Sequence, residues 1–304
     1  MLIGRFTERP YQDPESGYFG ATGRSVQDLS ISNSEYDSEL GANLYNRYLD
    51  EQVATEEAGF DAISGGPLEE WTVAAEKCGL GYVGGIDIGR ETEAERKLKI
   101  FKKLGVYHIN VQLCDHDTQT KDAVKVARKV MQAGVALGLK PAIEVHRDTC
   151  TETPEKAYAL ASEFEKRYKS KLNINFDHSH PAIIKQVRPP EFWKRLSGRL
   201  DLLRRGELIH LRPFTGSHCQ TPITNGRGQL DGDFVTWRDN FCKPLLEAWL
   251  KGAGSGKELY AVVELGPKGS GYGMEIFPDI WKDAIIARGE IERIWRNLLR
   301  KWKR

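Results

Sequence analysis

The sequence has no apolar run near the roughly 18 residues a membrane-spanning helix needs, and its opening, Met1 to Pro10, lacks a signal peptide's apolar segment. A soluble, cytoplasmic protein with no membrane partner is therefore expected. Net charge is nearly absent as well, since 44 basic side chains against 43 acidic ones leave +1. That balance gives no basic track for nucleic-acid phosphates. The ending Arg300-Lys-Trp-Lys-Arg304 is basic, but it suits the negative end of a helix dipole. Cys78, Cys114, Cys150, Cys219 and Cys242 form an odd, scattered set without a C-x-x-C pair, which argues against a disulfide framework or a zinc knuckle. Most read as buried thiols. No Gly-x-Gly-x-x-Gly turn follows the first apolar run, which disfavours a dinucleotide fold. Lys251-Gly-Ala-Gly-Ser-Gly-Lys257 imitates a phosphate loop, but it falls between a helix and the following strand and reads as a linker. There is neither a low-complexity tract nor an internal repeat beyond strand-helix alternation.

What is present is that alternation. Apolar runs of strand length recur near Leu2–Phe6, Phe60–Ser64, Gly81–Ile86, Tyr107–Leu113, Pro141–His146, Asn173–Asp177, Glu207–Arg212 and Tyr260–Leu265. Amphipathic stretches lie between them, one helix to each strand. Leu40–Ala58 carries Leu44, Tyr45, Tyr48, Leu49 and Val53 on one face; Lys121–Leu137 carries Ala123, Val124, Ala127, Val130 and Val135, with Gly138 as a stop. Thr153-Pro154-Glu155 starts a helix with a cap, a proline and an acid in the favoured order. The last helix follows Pro278 through Ile285, Ile291, Ile294, Trp295 and Leu298. A chain of 304 residues with 40% apolar content can bury one sizeable core, and a parallel α/β barrel needs about 250 residues. The expected fold is a single-domain (β/α)8 TIM barrel over residues 1–304. Its loops after the seventh and eighth strands, Arg212–Gly232 and Gly266–Pro278, are longer than plain turns require.

Four of the apolar runs end in a metal-ligand type of side chain: Glu144, Asp177, His210 and Glu264. In a parallel barrel these ends open on one face, so residues far apart in sequence meet. Taken singly, each carboxylate also fits a helix cap or an ion pair, and the histidine a structural role. On four successive strands, one divalent-metal site is the better reading. The oxygen-rich donor set suits Mn2+ first, with Mg2+, Co2+ or Fe2+ as alternatives. Strand alternation puts His146 on the face of Glu144 as a base or a partner of a ligand, and Arg212 on the face of His210. His180, His218 and Gln220 lie just beyond the strands and, with Arg212, are candidate substrate-binding residues; each also has a structural reading. His178 points away from the face of Asp177 and reads as structural.

Glu144, Asp177, His210 and Glu264, with His180 three residues beyond the aspartate, resemble the metal site of the xylose-isomerase-like barrel superfamily of sugar isomerases and epimerases. The resemblance runs from about Pro67 to Trp295, so that residues 67–304 form the xylose-isomerase-like part. It implies a divalent-metal-dependent isomerase or epimerase that removes a proton alpha to the carbonyl of a ketose or keto-sugar. In ketose 3-epimerases of that superfamily both metal-binding glutamates exchange the proton, which assigns acid-base roles to Glu144 and Glu264. The partner implied is a small carbohydrate, and self-association into a homo-oligomer is compatible with such barrels. The segments Glu144–Pro154 and His210–Pro222 differ from the ketose epimerases and are similar to an uncharacterised branch. His146 resembles a residue of enzymes that cleave 3-keto-glycosides by elimination, so a lyase or C-glycoside deglycosidase with His146 as base, joined by a small second subunit, stays as the alternative. Two further readings are a non-catalytic metal- or sugar-binding barrel and a nuclease of the endonuclease IV type. The nuclease needs more early ligands than His108, His116 and Asp115 or Asp117 supply. Residues 1–66 form a first βα unit of separate resemblance. Ser32–Asp37, Leu44–Glu51 and Glu56–Asp61 resemble the opening of luciferase-like flavin monooxygenases, yet Ser64-Gly-Gly-Pro67 replaces that family's Asn-Glu-His-His, and no flavin is implied.

Overall fold

Eight parallel strands close on themselves in sequence order. The computed structural model describes residues 3–8, 51–253, 257–266, 274–275 and 277–302. The strands are β1 (Ile3–Glu8), β2 (Ala62–Gly65), β3 (Gly81–Ile88), β4 (His108–Leu113), β5 (Lys140–Val145), β6 (Ile174–Asp177), β7 (Leu208–His210) and β8 (Leu259–Glu264). Each pairs with the next, and β8 returns to β1 in register from Ile3↔Leu259 to Glu8↔Glu264. Every expected strand is found in its expected place. Strands buried on both faces read as continuous apolar runs, which is why they stood out in the sequence. Ser32–Asp37 and the start of the Leu40–Ala58 stretch lie outside the described residues, as do 254–256 of the Lys251–Lys257 linker and 267–273 and 276 of the loop after β8.

Residues 51–57 are helical (α1), followed by α2 (Glu69–Lys77), α3 (Ala94–Lys103), α4 (Thr120–Leu137) and α5 (Pro154–Tyr168). Gly138 ends α4 with φ 68, a left-handed turn that glycine adopts without steric cost. Thr153 caps α5, its side chain accepting from the Lys156 backbone N–H at 3.3 Å. Two connections are more broken than one helix per strand. Between β6 and β7 the chain forms three short helices, α6 (Ser179–Ile184), α7 (Phe192–Leu196) and α8 (Leu200–Arg205). Pro189-Pro190 and Gly198 interrupt what would otherwise run on. Between β7 and β8, α9 (Gly232–Trp237) and α10 (Lys243–Leu250) join through a π-helical turn; after β8 comes α11 (Ile280–Lys301), capped by Asp279. Three residues assigned to apolar faces turn outward: Val53 is 42%, Val135 84% and Ile285 36% exposed. Val135 is five residues past Val130, which rotates it away from the stripe that Ala123, Val124, Ala127 and Val130 bury. In α1 the buried positions are Gln52 and Thr55, and in α11 Ala284 and Ala287 take the inner face.

Inside the barrel, Ala62, Val83, Leu208 and Val262 form an apolar plug. Residues paired across parallel strands share a face, so the register traces what lies above the plug. From Val83 it leads to Gly85↔Asn110 and Asp87↔Gln112, then to Glu144↔Asn175 and Asp177↔His210. Toward the C-terminal ends of the strands, the interior therefore changes from apolar to polar.

Candidate metal centre

Glu144 lies near the end of β5, while Asp177, His210 and Glu264 are the last residues of β6, β7 and β8. One ligand atom from each lies within 4.8 Å of those of the other three. His210 Nδ1 is 2.7 Å from Glu264 Oε2, 3.1 Å from Glu144 Oε1 and 3.9 Å from Asp177 Oδ2. Glu144 and Asp177 are buried at 1% and 0% exposure. Arg212, also buried, pairs its Nη2 with Glu264 Oε1 and brings Nη1 to 3.7 Å from Asp177 Oδ2.

Three ionised carboxylates and one guanidinium, with His210 neutral, leave two negative charges in a dry site. Uncompensated buried charge is costly, and a proton on His210 offsets only one of the two. A divalent cation matches the balance. Asp177 Oδ2 and Glu264 Oε2 have no well-aligned hydrogen-bond donor among the described residues, which leaves them available to an ion. The residues present thus fit a single divalent metal, and the oxygen-rich set favours a hard one. Burial pushes Glu144 up, but the neighbouring His210 and His146 together outweigh it and hold the carboxyl down at about 2. Burial is likewise overridden at Asp177, which Arg212 and His180 hold well below the usual carboxylate range.

The surroundings of Glu144 were only partly visible in the sequence. Asn110 on β4 donates from Nδ2 to Glu144 Oε2 at 2.6 Å, and Asn175 on β6 donates to Asn110 Oδ1 at 2.8 Å. This amide relay holds one carboxylate oxygen and leaves Oε1 facing His210. The register of β4 and β6 against β5 produces it, and alternation along a single strand does not reveal that register. Behind the strand, Thr151 donates from Oγ1 to the Glu144 carbonyl, and Thr149 donates from Oγ1 to the His146 carbonyl at 2.7 Å. The β5–α5 loop is thereby tied to the two residues it follows.

His146 and His180 come together with Glu144, ligand atoms again within 4.8 Å, and their rings are 3.9 Å apart. His146 Nδ1 lies 2.6 Å from the Arg147 carbonyl, which can only accept, so Nδ1 carries the proton and Nε2 the lone pair. Burial lowers both imidazoles, His180 to about 3, so both are neutral at pH 7. His180 Nε2 sits 3.3 Å from Asp177 Oδ2 and braces that ligand. The other candidates are placed differently. Gln220 spans two loops, donating to the Gly266 carbonyl at 3.0 Å and accepting from the Gly266 N–H at 2.6 Å. His218 is exposed, and its backbone closes a turn with Thr215. His178 is buried against Phe176 and Phe241. Of the early nuclease-type ligands, His108 lies at the opposite end of β4, against Tyr260, and exposed His116 pairs with Asp148 at 2.7 Å. Neither belongs to the groups that converge at the rim.

No family model matches the chain, and no curated protein does. Solved structures match. An L-ribulose 3-epimerase superposes with a TM-score of 0.55 at 14% identity, over 83% of this chain and 90% of that one. The chain shares its fold. A D-allulose 3-epimerase from Methylomonas sp. in complex with D-allulose gives 0.52 at 11% identity, covering 83% and 91% of the two chains. A xylose isomerase-like TIM barrel protein from Mycobacterium smegmatis, in complex with magnesium, gives 0.51 at 13%, covering 84% and 89%. The expected likeness to xylose-isomerase-like barrels thus holds for the fold. Of the luciferase-like segments, Ser32–Asp37 and all of Leu44–Glu51 except Glu51 lie outside the described residues.

Proposed function

We propose that the protein is a divalent-metal-dependent sugar isomerase or epimerase that removes a proton alpha to a carbonyl, with Mn2+ as the expected ion. The observation that carries this reading is the pair of carboxylates, Glu144 from β5 and Glu264 from β8, on one point shared with Asp177 and His210. A bound divalent ion supplies electrostatic stabilisation for negative charge developing on substrate oxygen. Proton movement falls to the chain's own groups. Glu144, kept ionised and with Oε2 occupied by Asn110, offers Oε1 as base. Glu264, oriented by the Arg212 guanidinium, is the complementary acid once it has taken a proton from solvent. In epimerisation one carboxylate takes the proton and the other returns one from the other side; in isomerisation the proton moves between neighbouring carbons. His146 Nε2 stands by as a third proton acceptor, and burial keeps water from competing. The named activities of the sugar epimerases with this fold support the choice of a carbohydrate substrate.

The test is incubation of Mn2+-loaded protein with free ketoses in D2O. Deuterium at the carbon alpha to the carbonyl, lost in Glu144→Gln and Glu264→Gln, is the expected result. Aglycone release from a 3-keto-glycoside with no deuterium uptake from any ketose would replace this reading with elimination.

A further inference from the structure

The metal-ligand side chains occupy the rim of β5 to β8, and a substrate anchored there extends across the lumen toward β3 and β4. That wall is polar and has room. Val83 belongs to the apolar plug, so alternation along β3 places Gly85 and then Asp87 on the interior face above it. A Cβ on Gly85 would meet nothing nearer than the Gly65 carbonyl oxygen at 3.6 Å. Where barrels commonly fill this level with branched side chains, a space is left beside Asn110. Asp87 pairs in register with Gln112 of β4, placing a carboxylate and an amide side by side at about the 5 Å spacing of neighbouring strands.

We infer that Asp87 and Gln112 form the subsite for hydroxyl groups remote from the reacting carbonyl, and that it selects a neutral polyhydroxy ketose over a phosphorylated one. This rests on the proposed function and names its substrate class. A carboxylate accepts from two hydroxyls while the amide both donates and accepts, a pattern matched to a vicinal diol. Asp87 is solvent-accessible yet crowded: burial raises its carboxyl, with the charges of His146, Glu144 and Lys97 next in effect. A side chain lining a concave mouth behaves this way. Among the described residues Lys97 is a cation that acts on it, but its Nζ is held by the Asp87 carbonyl at 2.7 Å and Glu93 at 3.2 Å. Arg212 is committed to Glu264 and Asp177. Asp87 therefore adds a negative charge at the mouth beside a metal point whose three carboxylates Arg212 and the divalent ion already balance, and a phosphate ester is repelled.

Calorimetric titration of Mn2+-loaded full-length protein with D-fructose, D-ribulose and their terminal phosphate esters tests this. Wild type is expected to bind the free sugars at least about tenfold more tightly than the esters. Asp87→Ala loses about tenfold in free-sugar affinity and Gln112→Ala somewhat less, the effect of deleting a hydrogen bond to a charged or a neutral group. Asp87→Asn keeps part of the binding and narrows the discrimination against esters, while Mn2+ affinity stays unchanged in all three. Free-sugar affinity within twofold of wild type in both alanine variants, or tighter binding of esters by wild type, overturns the subsite and leaves the proposed function standing. Mn2+-loaded wild type that binds none of these sugars overturns both.

Discussion

Replacing Asn110 with alanine removes a side chain that never touches the metal point but fixes one of its ligands. Two buried hydrogen bonds disappear, Asn110 Nδ2 to Glu144 Oε2 at 2.6 Å and Asn175 Nδ2 to Asn110 Oδ1 at 2.8 Å. The first ends on a carboxylate and is worth about 1.5–3 kcal/mol; the second leaves an amide donor buried without an acceptor, at about 1–3 kcal/mol. Water entering the vacated volume recovers part of this, so the expected loss is about 3 kcal/mol. A double-mutant cycle isolates the first bond: urea unfolding of wild type, Asn110→Ala, Glu144→Ala and the pair, all with chelator present. The two losses should fall short of additive by about 1–2 kcal/mol. Additivity within about 0.5 kcal/mol would refute the claim that Asn110 orients Glu144, since mutually bonded buried groups do not act independently.

Two other expectations concern the fold. Burial against Tyr260 lowers His108 to about 4, below the roughly 6.5 of an unfolded chain, so between these values the unfolded state binds more protons. Its contribution is complete above about pH 6.5 and is lost as pH falls toward 4. Linkage sets the loss at about 3 kcal/mol at most, and His108→Gln should flatten the stability-pH slope over that window; an unchanged slope would place the acid sensitivity elsewhere. At Gly216, in the loop after β7, an added Cβ would overlap the Val187 carbonyl oxygen, so Gly216→Ala should lower stability by about 2–4 kcal/mol in urea unfolding, and a neutral effect would show that the two loops move apart freely.

Strand order and barrel closure were legible because parallel strands buried on both sides leave apolar runs that few other structures produce. Glu144, Asp177, His210 and Glu264 were legible for the same reason, as charged or polar interruptions where each run ends. Asn110, Asp87 and Gln112 were not. An amide or carboxylate inside a strand gains meaning only once closure decides which face is interior, and the glycines of β3 gave no side-chain pattern from which to count. Gln220 shows the converse: a polar residue near the site spends its amide on the backbone of the neighbouring loop. The outward turn of Val135 and Ile285 follows from reading helical faces generously, since a residue one position off the stripe meets solvent.

The central claim is that four strand ends hold one divalent ion. Calorimetric titration of chelator-treated protein with Mn2+ tests it directly. Wild type should bind one equivalent per chain, and Asp177→Asn, which removes a buried ligand charge, should weaken binding by at least about a hundredfold while the barrel's far-ultraviolet spectrum is retained. No binding by folded wild type, or equal affinity in Asp177→Asn, would contradict the account.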